Sequence, residues 1–379
     1  MSRATKDSVS PRDERMMREA LRRAARGAGR THPNPSVGAV VYRGERVLGR
    51  GHSRPAGGAH AEVVALEAAR RRHGARALRG ASLAVTLEPC NHHGRTGPCT
   101  EAILEAGVAR VVVGCRDPHP LVRGGGIRRL RRRGVAVTTG VLADDCRWHH
   151  RGFLSVHERG RPHVVLKLAT SLDGRIALAD GSSRWITSPE ARAVVHRLRN
   201  TTDAIMVGSE TARADDPALD VRLRGRVVHR PVRVLVDGRL RVPARARLFE
   251  AHADAETWVV CARGARGLRR ARSVASRVLE VPTTRSGHVD LGRALRRLAD
   301  EGLTTVLVEG GGRLAAALLR SDLVDEVHWM LAPKLIGGDG RAGLGPLELR
   351  RLADAVEIDP IRIARRGPDL HVHGTVRRD

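Results

Sequence analysis

The chain has 379 residues, 41% of them hydrophobic and 29% charged, which fits two globular domains and excludes a disordered polymer. Four Trp, one Tyr and two Phe leave an aliphatic core and exclude an aromatic platform for single-stranded nucleic acid. The formal net charge of +27 is nearly all arginine spread along the whole chain, a pattern of solvated faces, so nucleic acid is not expected as a partner.

In chain order, residues 1–12 read as a loose tail. A helix fits Asp13–Ala28, with Met16, Met17, Ala20, Leu21 and Ala24 on one face. A Pro-rich loop and a hairpin follow, pairing Val37–Tyr42 with Arg46–Arg50. Next come a helix from His60 to Arg72 stopped by Gly74, strand Ser82–Leu87, a Pro/Gly-punctuated loop and helix Thr100–Ala106. Strand Arg110–Gly114, helix Val122–Arg133 and strand Val135–Thr139 complete an alternating α/β pattern. The stretch Ala143–Arg161 is polar and without a clear period, and a linker is placed at 146–159 between domains 13–145 and 160–379. The second α/β pattern has strands at 164–169, 204–207, 232–236, 257–260, 304–308 and 326–331. Its helices fit 189–199, 291–299 and 313–320.

No run of about 18 apolar residues occurs, so no transmembrane helix is expected. The first fifteen residues have no apolar segment of a secretory signal, and five cysteines are too few for a disulfide framework. A cytoplasmic location follows as the expectation. In such a compartment an odd cysteine count points to metal binding or catalysis.

The strongest motif is His60-Ala61-Glu62, followed by Pro89-Cys90 and then Cys99. One imidazole and two thiolates are a three-ligand set for a catalytic zinc with its fourth position open to water. Glu62, two residues past the histidine, can stand beside the metal and carry a proton from the water to a leaving amine. This is the His-x-Glu, Pro-Cys pattern of base deaminases, except that Cys90 and Cys99 enclose eight residues rather than two. The same residues also suit a structural zinc, with His92 or His93 as a fourth ligand, or two unrelated buried thiols.

The segment TLEPCNHHGRTGPC, with THPNPSVGAVV and HAEVVAL upstream, resembles the deaminase half of the bifunctional riboflavin-biosynthesis deaminase/reductase family. The long cysteine loop belongs to that family's pattern, usually EPCSHHGRTPPC. Asn91 and Gly97 depart from it, and His119 in the segment Asp117–Pro120 stands where the family usually has Asn. The resemblance implies a cytidine-deaminase-like three-layer α/β/α domain, substrate contacts at Asn34 and His52, and one zinc per chain. It implies hydrolytic deamination of 2,5-diamino-6-ribosylamino-4(3H)-pyrimidinone 5′-phosphate at C2.

Further on, KLATSLDGRIA, WITSPEAR, VGSETARADDPALDVR, VEGGG and VDEVHWMLAPKLIGG resemble the reductase half of the same family, in the same order. That half is similar in fold to dihydrofolate reductase. The resemblance implies NADPH contacts at Ala169, Trp185, Thr211, Asp215 and the segment Gly311, Gly312, Arg313, Leu314, Ala315, Ala316, Ala317. It implies substrate contacts at Ser183, Arg199, Leu219, Arg222 and Glu309, and a homo-oligomer. Chemically, Arg199 and Arg222 suit a ribose 5′-phosphate, and glycines opening a helix suit a pyrophosphate. Trp185 suits either a nicotinamide wall or the core. Lys167 interrupts an apolar strand in a chain with only two other lysines, which suggests a role near the substrate. Gly238 stands where the family often has Ser. The implied chemistry is hydride transfer to C1 of the ribosyl group, giving a ribityl chain.

Two other functions compete with this reading. A nucleic-acid base deaminase with an accessory domain draws on the charge and the His-x-Glu motif, and a zinc-stabilised module without catalysis needs only the ligands.

Overall fold

The computed structural model describes residues 9–93, 97–120, 122–183, 185–223, 227, 230–250 and 255–378. The tip of the cysteine loop, residues 94–96, lies outside them. The chain divides into two compact units at Arg159/Gly160.

The first unit runs α1 (Pro11–Ala25), β1 (Gly38–Arg43), β2 (Arg46–His52), α2 (Ala61–His73), β3 (Ser82–Leu87), α3 (Cys99–Glu105), β4 (Arg110–Cys115), α4 (Gly125–Arg132), β5 (Ala136–Thr139), α5 (Ala143–His149) and α6 (Arg151–Arg159). Helix α1 starts two residues before the expected position. Ser10 and Asp13 form a reciprocal capping box around Pro11, an arrangement that contributes about 1 kcal/mol. The sheet order is β2-β1-β3-β4-β5. Strand β1 is antiparallel to β2 and β3, while β3, β4 and β5 are parallel. Period-two alternation splits the side chains between two cores. Ala39, Val41, Leu83, Val85, Val111 and Val113 pack with residues of α2, α3 and α4. Val40, Tyr42, Ala84 and Val112 pack with Met16, Met17 and Ala20 of α1 and Cys146 of α5. Three layers, α/β/α, result.

The stretch expected as a linker is helical and belongs to the first unit. Its inward positions, Leu142, Cys146, His150 and Leu154, recur every four residues. Polar His150 stands among them, so no apolar period shows in the sequence. Helix α4 likewise starts at Gly125 and not at the expected Val122. Gly124 sits in the left-handed region at φ 72°, and the Glu88 carboxylate accepts N–H groups of Gly124 and Ile127 at 3.0 and 3.2 Å.

The second unit runs β6 (His163–Ser171), β7 (Arg175–Ala177), α7 (Pro189–Arg199), β8 (Ala204–Gly208), α8 (Ser209–Asp215), β9 (Val232–Val236), β10 (Thr257–Ala262), α9 (Leu268–Val274), β11 (Arg277–Val281), α10 (Leu291–Asp300), β12 (Thr305–Val308), α11 (Gly312–Arg320), β13 (Glu326–Ala332), β14 (Arg341–Ala342), β15 (Ile358–Arg366) and β16 (Asp369–Val376). The main sheet has the order β11-β10-β9-β8-β12-β6-β13-β16-β15. It is parallel from β11 to β13 and antiparallel beyond. One face packs on α10 and α11 and the other on α7, α8 and α9. Strands β8 and β12 lie side by side although β9, β10 and β11 come between them in sequence, so the strand order reverses there. Ligand clefts form at such a switch point, outside the carboxyl ends of the strands. The terminal hairpin β15–β16 falls in the region where the sequence showed no motif.

Candidate functional site

In the first unit, two helix starts and a loop bring the predicted metal donors together. His60 is the N-cap of α2 and Cys99 the first residue of α3, while Cys90 follows β3. The His60 Nδ1 lies 3.1 Å from Cys99 Sγ and 3.5 Å from Cys90 Sγ. All three donor atoms fall within 4.8 Å of one another. The Cys99 N–H donates to Cys90 Sγ at 3.3 Å, which holds the loop and the helix start in register. The hydrogen bond from Cys99, aided by His60, pulls the Cys90 thiol down to about 4 and drives the Cys99 thiol up. A half-buried thiolate beside a buried second thiol and an imidazole is the donor set of a soft cation, and the residues fit zinc.

Glu62, in the first turn of α2, is 3% exposed. Burial, reinforced by the Cys90 charge, pushes its carboxyl up to about 7. A carboxyl in that range both accepts and returns a proton near neutrality. His92 and His93 do not join the three donors: His92 stacks on His119 at 6.2 Å, and His93 lies 3.8 Å from Glu101. Among the described residues, then, no fourth protein ligand completes the cluster.

The predicted substrate contacts of this unit lie before and at the end of the β1–β2 hairpin. Exposed Asn34 precedes β1, and His52 ends β2 opposite Gly38. Strand β2 sits directly on the first turn of α2, since a Cβ on Gly51 would lie 2.2 Å from the Ala61 carbonyl oxygen. Asn91 accepts the Thr100 hydroxyl at 3.0 Å, so this departure ties the loop to α3. Asp117 accepts the His119 N–H at 2.8 Å, and the His119 ring meets His157 of α6 edge-on at 4.9 Å. Burial pushes Asp117 up to about 6. Sequence reasoning missed Glu88, although a carboxylate closing an apolar strand just before Pro89-Cys90 was a readable signal.

In the second unit a cleft of about 1880 Å³ opens over the switch point. Lys167 and Ala169 of β6 line it, with Ser183 and Trp185 from the following loop. Arg199, Thr211, Asp215, Leu219 and Arg222 line it from α7, α8 and the loop beyond. Glu309 and the start of α11 close it through Gly311, Gly312, Arg313, Leu314, Ala316 and Ala317. Ala315 is the exception, fully buried in the core, because successive helical residues point 100° apart and only part of the segment faces the cleft.

The glycine turn is built for close approach. Gly311 N–H donates to Thr211 Oγ1 at 2.8 Å, and a Cβ on Gly312 would lie 2.9 Å from the Ala342 carbonyl oxygen. Arg199 is already committed within the protein. Its Nε and Nη2 reach Glu309 at 2.6 and 2.9 Å, and Nη1 donates to the Asp220 carbonyl at 2.6 Å. The expectation that Arg199 grips a phosphate with a free guanidinium therefore does not match its surroundings. Arg222 is exposed and lies 3.2 Å from Asp220. Trp185 is 63% exposed, with the Arg192 guanidinium over its ring at 4.4 Å, so it is no core residue. Lys167 faces Glu309, and burial lowers its ammonium pKa. Gly238 lines the cleft, where a Cβ would meet Val289 at 3.0 Å.

Two family models match the chain. Residues 10–115 match the cytidine and deoxycytidylate deaminase zinc-binding region, and residues 162–372 match the RibD C-terminal domain. The riboflavin biosynthesis protein RibD of Escherichia coli K12 is 41% identical, covering 95% of this chain and 98% of its own. The chain belongs to the RibD family. Its RibD relative in Bacillus amyloliquefaciens is 38% identical, with 94% and 95% covered. A solved RibD of Acinetobacter baumannii superposes with a TM-score of 0.86 at 34% identity, covering 97% of this chain and 99% of that one. A Thermotoga maritima structure, described as a diaminohydroxyphosphoribosylaminopyrimidine deaminase/5-amino-6-(5-phosphoribosylamino)uracil reductase, gives 0.82 at 34% identity with the same coverage. As a RibD family member the chain is a bifunctional deaminase and reductase of riboflavin biosynthesis, its zinc-binding deaminase domain preceding the reductase domain. Among the described residues no helix is long and apolar enough to cross a membrane.

Proposed function

We propose that the deaminase domain acts on 2,5-diamino-6-ribosylamino-4(3H)-pyrimidinone 5′-phosphate, and that the reductase domain converts the ribosyl group of the deaminated product to ribityl with NADPH. The observation that carries the first half is buried Glu62 beside three converging donors, His60, Cys90 and Cys99. A zinc ion held by them supplies the Lewis acid that makes water a nucleophile near neutral pH. Glu62 accepts the proton of the attacking water and delivers it to the exocyclic amine, so that water adds at C2 and ammonia leaves. Asn34 and His52 hold the pyrimidine from the loop before β1 and the end of β2.

In the reductase domain NADPH supplies the hydride that reaches C1 after the ribosyl ring opens to an imine. The Gly311 N–H is held by Thr211, so the start of α11 would receive the cofactor's pyrophosphate at the Gly312 N–H, and Trp185, Ala169, Thr211 and Asp215 would flank the rest of the cofactor. Arg222, with its guanidinium exposed, is the phosphate ligand, and the Arg199–Glu309 pair orients the substrate beside Lys167. NADPH rather than NADH suits the many arginines lining the cleft.

A homo-oligomer in the cytoplasm completes the reading. Strand β15 exposes Ile361 and Ile363 at the sheet edge, and all five cysteines are free. The test is a coupled assay with purified protein, zinc and NADPH. Ammonia release from the diaminopyrimidine phosphate, followed by oxidation of NADPH, supports the assignment. Ammonia release without NADPH oxidation removes the second half, and the reverse removes the first.

A further inference from the structure

The two matched family regions, residues 10–115 and 162–372, do not include α5 and α6. These helices nonetheless reach the loop that carries Asn34. His149 closes α5 and His150 caps it. The His149 Nε2 lies 2.8 Å from the Ser36 carbonyl oxygen. A carbonyl only accepts, so His149 donates from Nε2. The His150 Nε2 lies 3.0 Å from Thr86 Oγ1, and that hydroxyl oxygen also accepts the Gly38 N–H at 3.1 Å. Two consecutive histidines therefore hold the loop end and the first residue of β1.

The remaining anchors show how little freedom is left. Ser36 Oγ donates to the Ala24 carbonyl at 2.6 Å. Val37 N–H donates to Ser53 Oγ at 3.0 Å, and Ser53 N–H returns a bond to the Val37 carbonyl at 3.0 Å. Asn34 N–H donates to the Thr31 carbonyl at 2.9 Å. Asn34 itself remains exposed, two residues from the Ser36 clamp. Ser53 follows His52, and Gly51 rests on the first turn of α2 behind His60 and Glu62. The loop is thus fixed relative to the donor cluster through β2, and relative to α1 and α5 through Ser36.

We propose that His149 is a positioning residue of the deaminase, setting the Asn34 loop through its hydrogen bond to the Ser36 carbonyl. His149 touches no reacting atom in this arrangement. It rests on the reading that Asn34 meets the pyrimidine, and its loss acts on substrate binding rather than on the chemical step. Such a loss raises KM and leaves kcat nearly unchanged.

The experiment compares H149A, H149F and H149Q with the unaltered, zinc-loaded full chain. Glutamine places an N–H donor near the Nε2 position, phenylalanine fills the space without a donor, and H149F serves if H149A does not fold. Expected is a rise of about tenfold in deaminase KM for H149A and H149F, the scale of one hydrogen bond, with kcat within about twofold and H149Q close to the unaltered protein. Zinc content and NADPH oxidation stay constant. An unchanged KM in H149F overturns the proposal, as does an equal rise in H149Q. Running N34A alongside separates the two readings. If N34A raises KM and the His149 variants do not, only the present inference falls. If the unaltered protein releases no ammonia, the proposed function itself falls.

Discussion

Arg199 and Glu309 close on each other across the reductase cleft in a two-pronged ion pair, Nε to Oε1 at 2.6 Å and Nη2 to Oε2 at 2.9 Å, with side chains only 12% and 9% exposed. A buried pair of this kind holds geometry more than it adds stability, but breaking it strands a charge at a cost of about 3–5 kcal/mol. Glu309→Gln leaves Arg199 and Lys167 without their carboxylate. Expected is a fall of more than tenfold in reductase kcat/KM and a lower unfolding temperature of the second unit, with ammonia release unaffected. Retention of full NADPH oxidation in this variant would remove the pair from the substrate site.

Glu62→Gln keeps the shape of the first turn of α2 and removes the proton carrier. Ammonia release should drop by at least about a thousandfold, within the range of general acid–base contributions. Metal analysis should still find one zinc, and NADPH oxidation with the deaminated product should persist. Deamination surviving at ordinary rates would point to another base.

Chelation, or Cys99→Ser, tests the donor set itself. Either treatment should abolish deamination and lower the stability of the first unit while the reductase continues. Re-addition of zinc should restore the chelated protein but not the Ser variant, because a hydroxyl does not ionise as a thiol does and makes a poor partner for zinc.

Asp13 reports on acid stability. Burial alone would raise its pKa, but hydrogen bonds from Arg110 at 2.6 and 2.9 Å and from Ser10 outweigh burial and hold it near 2, against 3.8 in an open chain. The folded-state value is the lower one, so the stabilisation is present above pH 4 and lost as pH falls from about 4 towards 2. Hydrogen exchange of α1, β1 and β4 should accelerate across that window. In Asp13→Asn the protection should already be reduced at neutral pH, by roughly 1.5–3 kcal/mol, and should no longer fall between pH 4 and 2.

Gly126 links α4 to the metal loop. A Cβ there would lie 2.0 Å from the Pro89 carbonyl oxygen, which precedes Cys90. Gly126→Ala should therefore push the loop off α4 and weaken zinc binding by about tenfold or more, with a loss of several kcal/mol in stability. Unchanged zinc affinity in a competition titration would show that the loop yields without moving Cys90.

The sequence by itself determined the chemistry of the first site and the class of the fold. His60 and Glu62 stand in one short segment and Cys90 and Cys99 in another, so the residue types and their spacing named the donor set, while the packing of α2 against the loop after β3 and the start of α3 brought the two segments together. Apolar strands alternating with amphipathic helices announce an α/β layer because each period reflects its own local geometry. The tertiary structure decided everything that depends on residues far apart in the chain. That Arg199 faces Glu309 follows only from β12 lying between β8 and β6 and from α7 covering them, a strand order no local period encodes. That Ala315 turns inward while Ala316 faces the cleft follows from helix phase against a sheet whose position is set elsewhere. Helices α5 and α6 were hidden for the same reason. Their inward positions are filled by Cys146 and His150, and His149 serves a carbonyl more than a hundred residues away, so their worth appears only when β1 and β3 are folded against them.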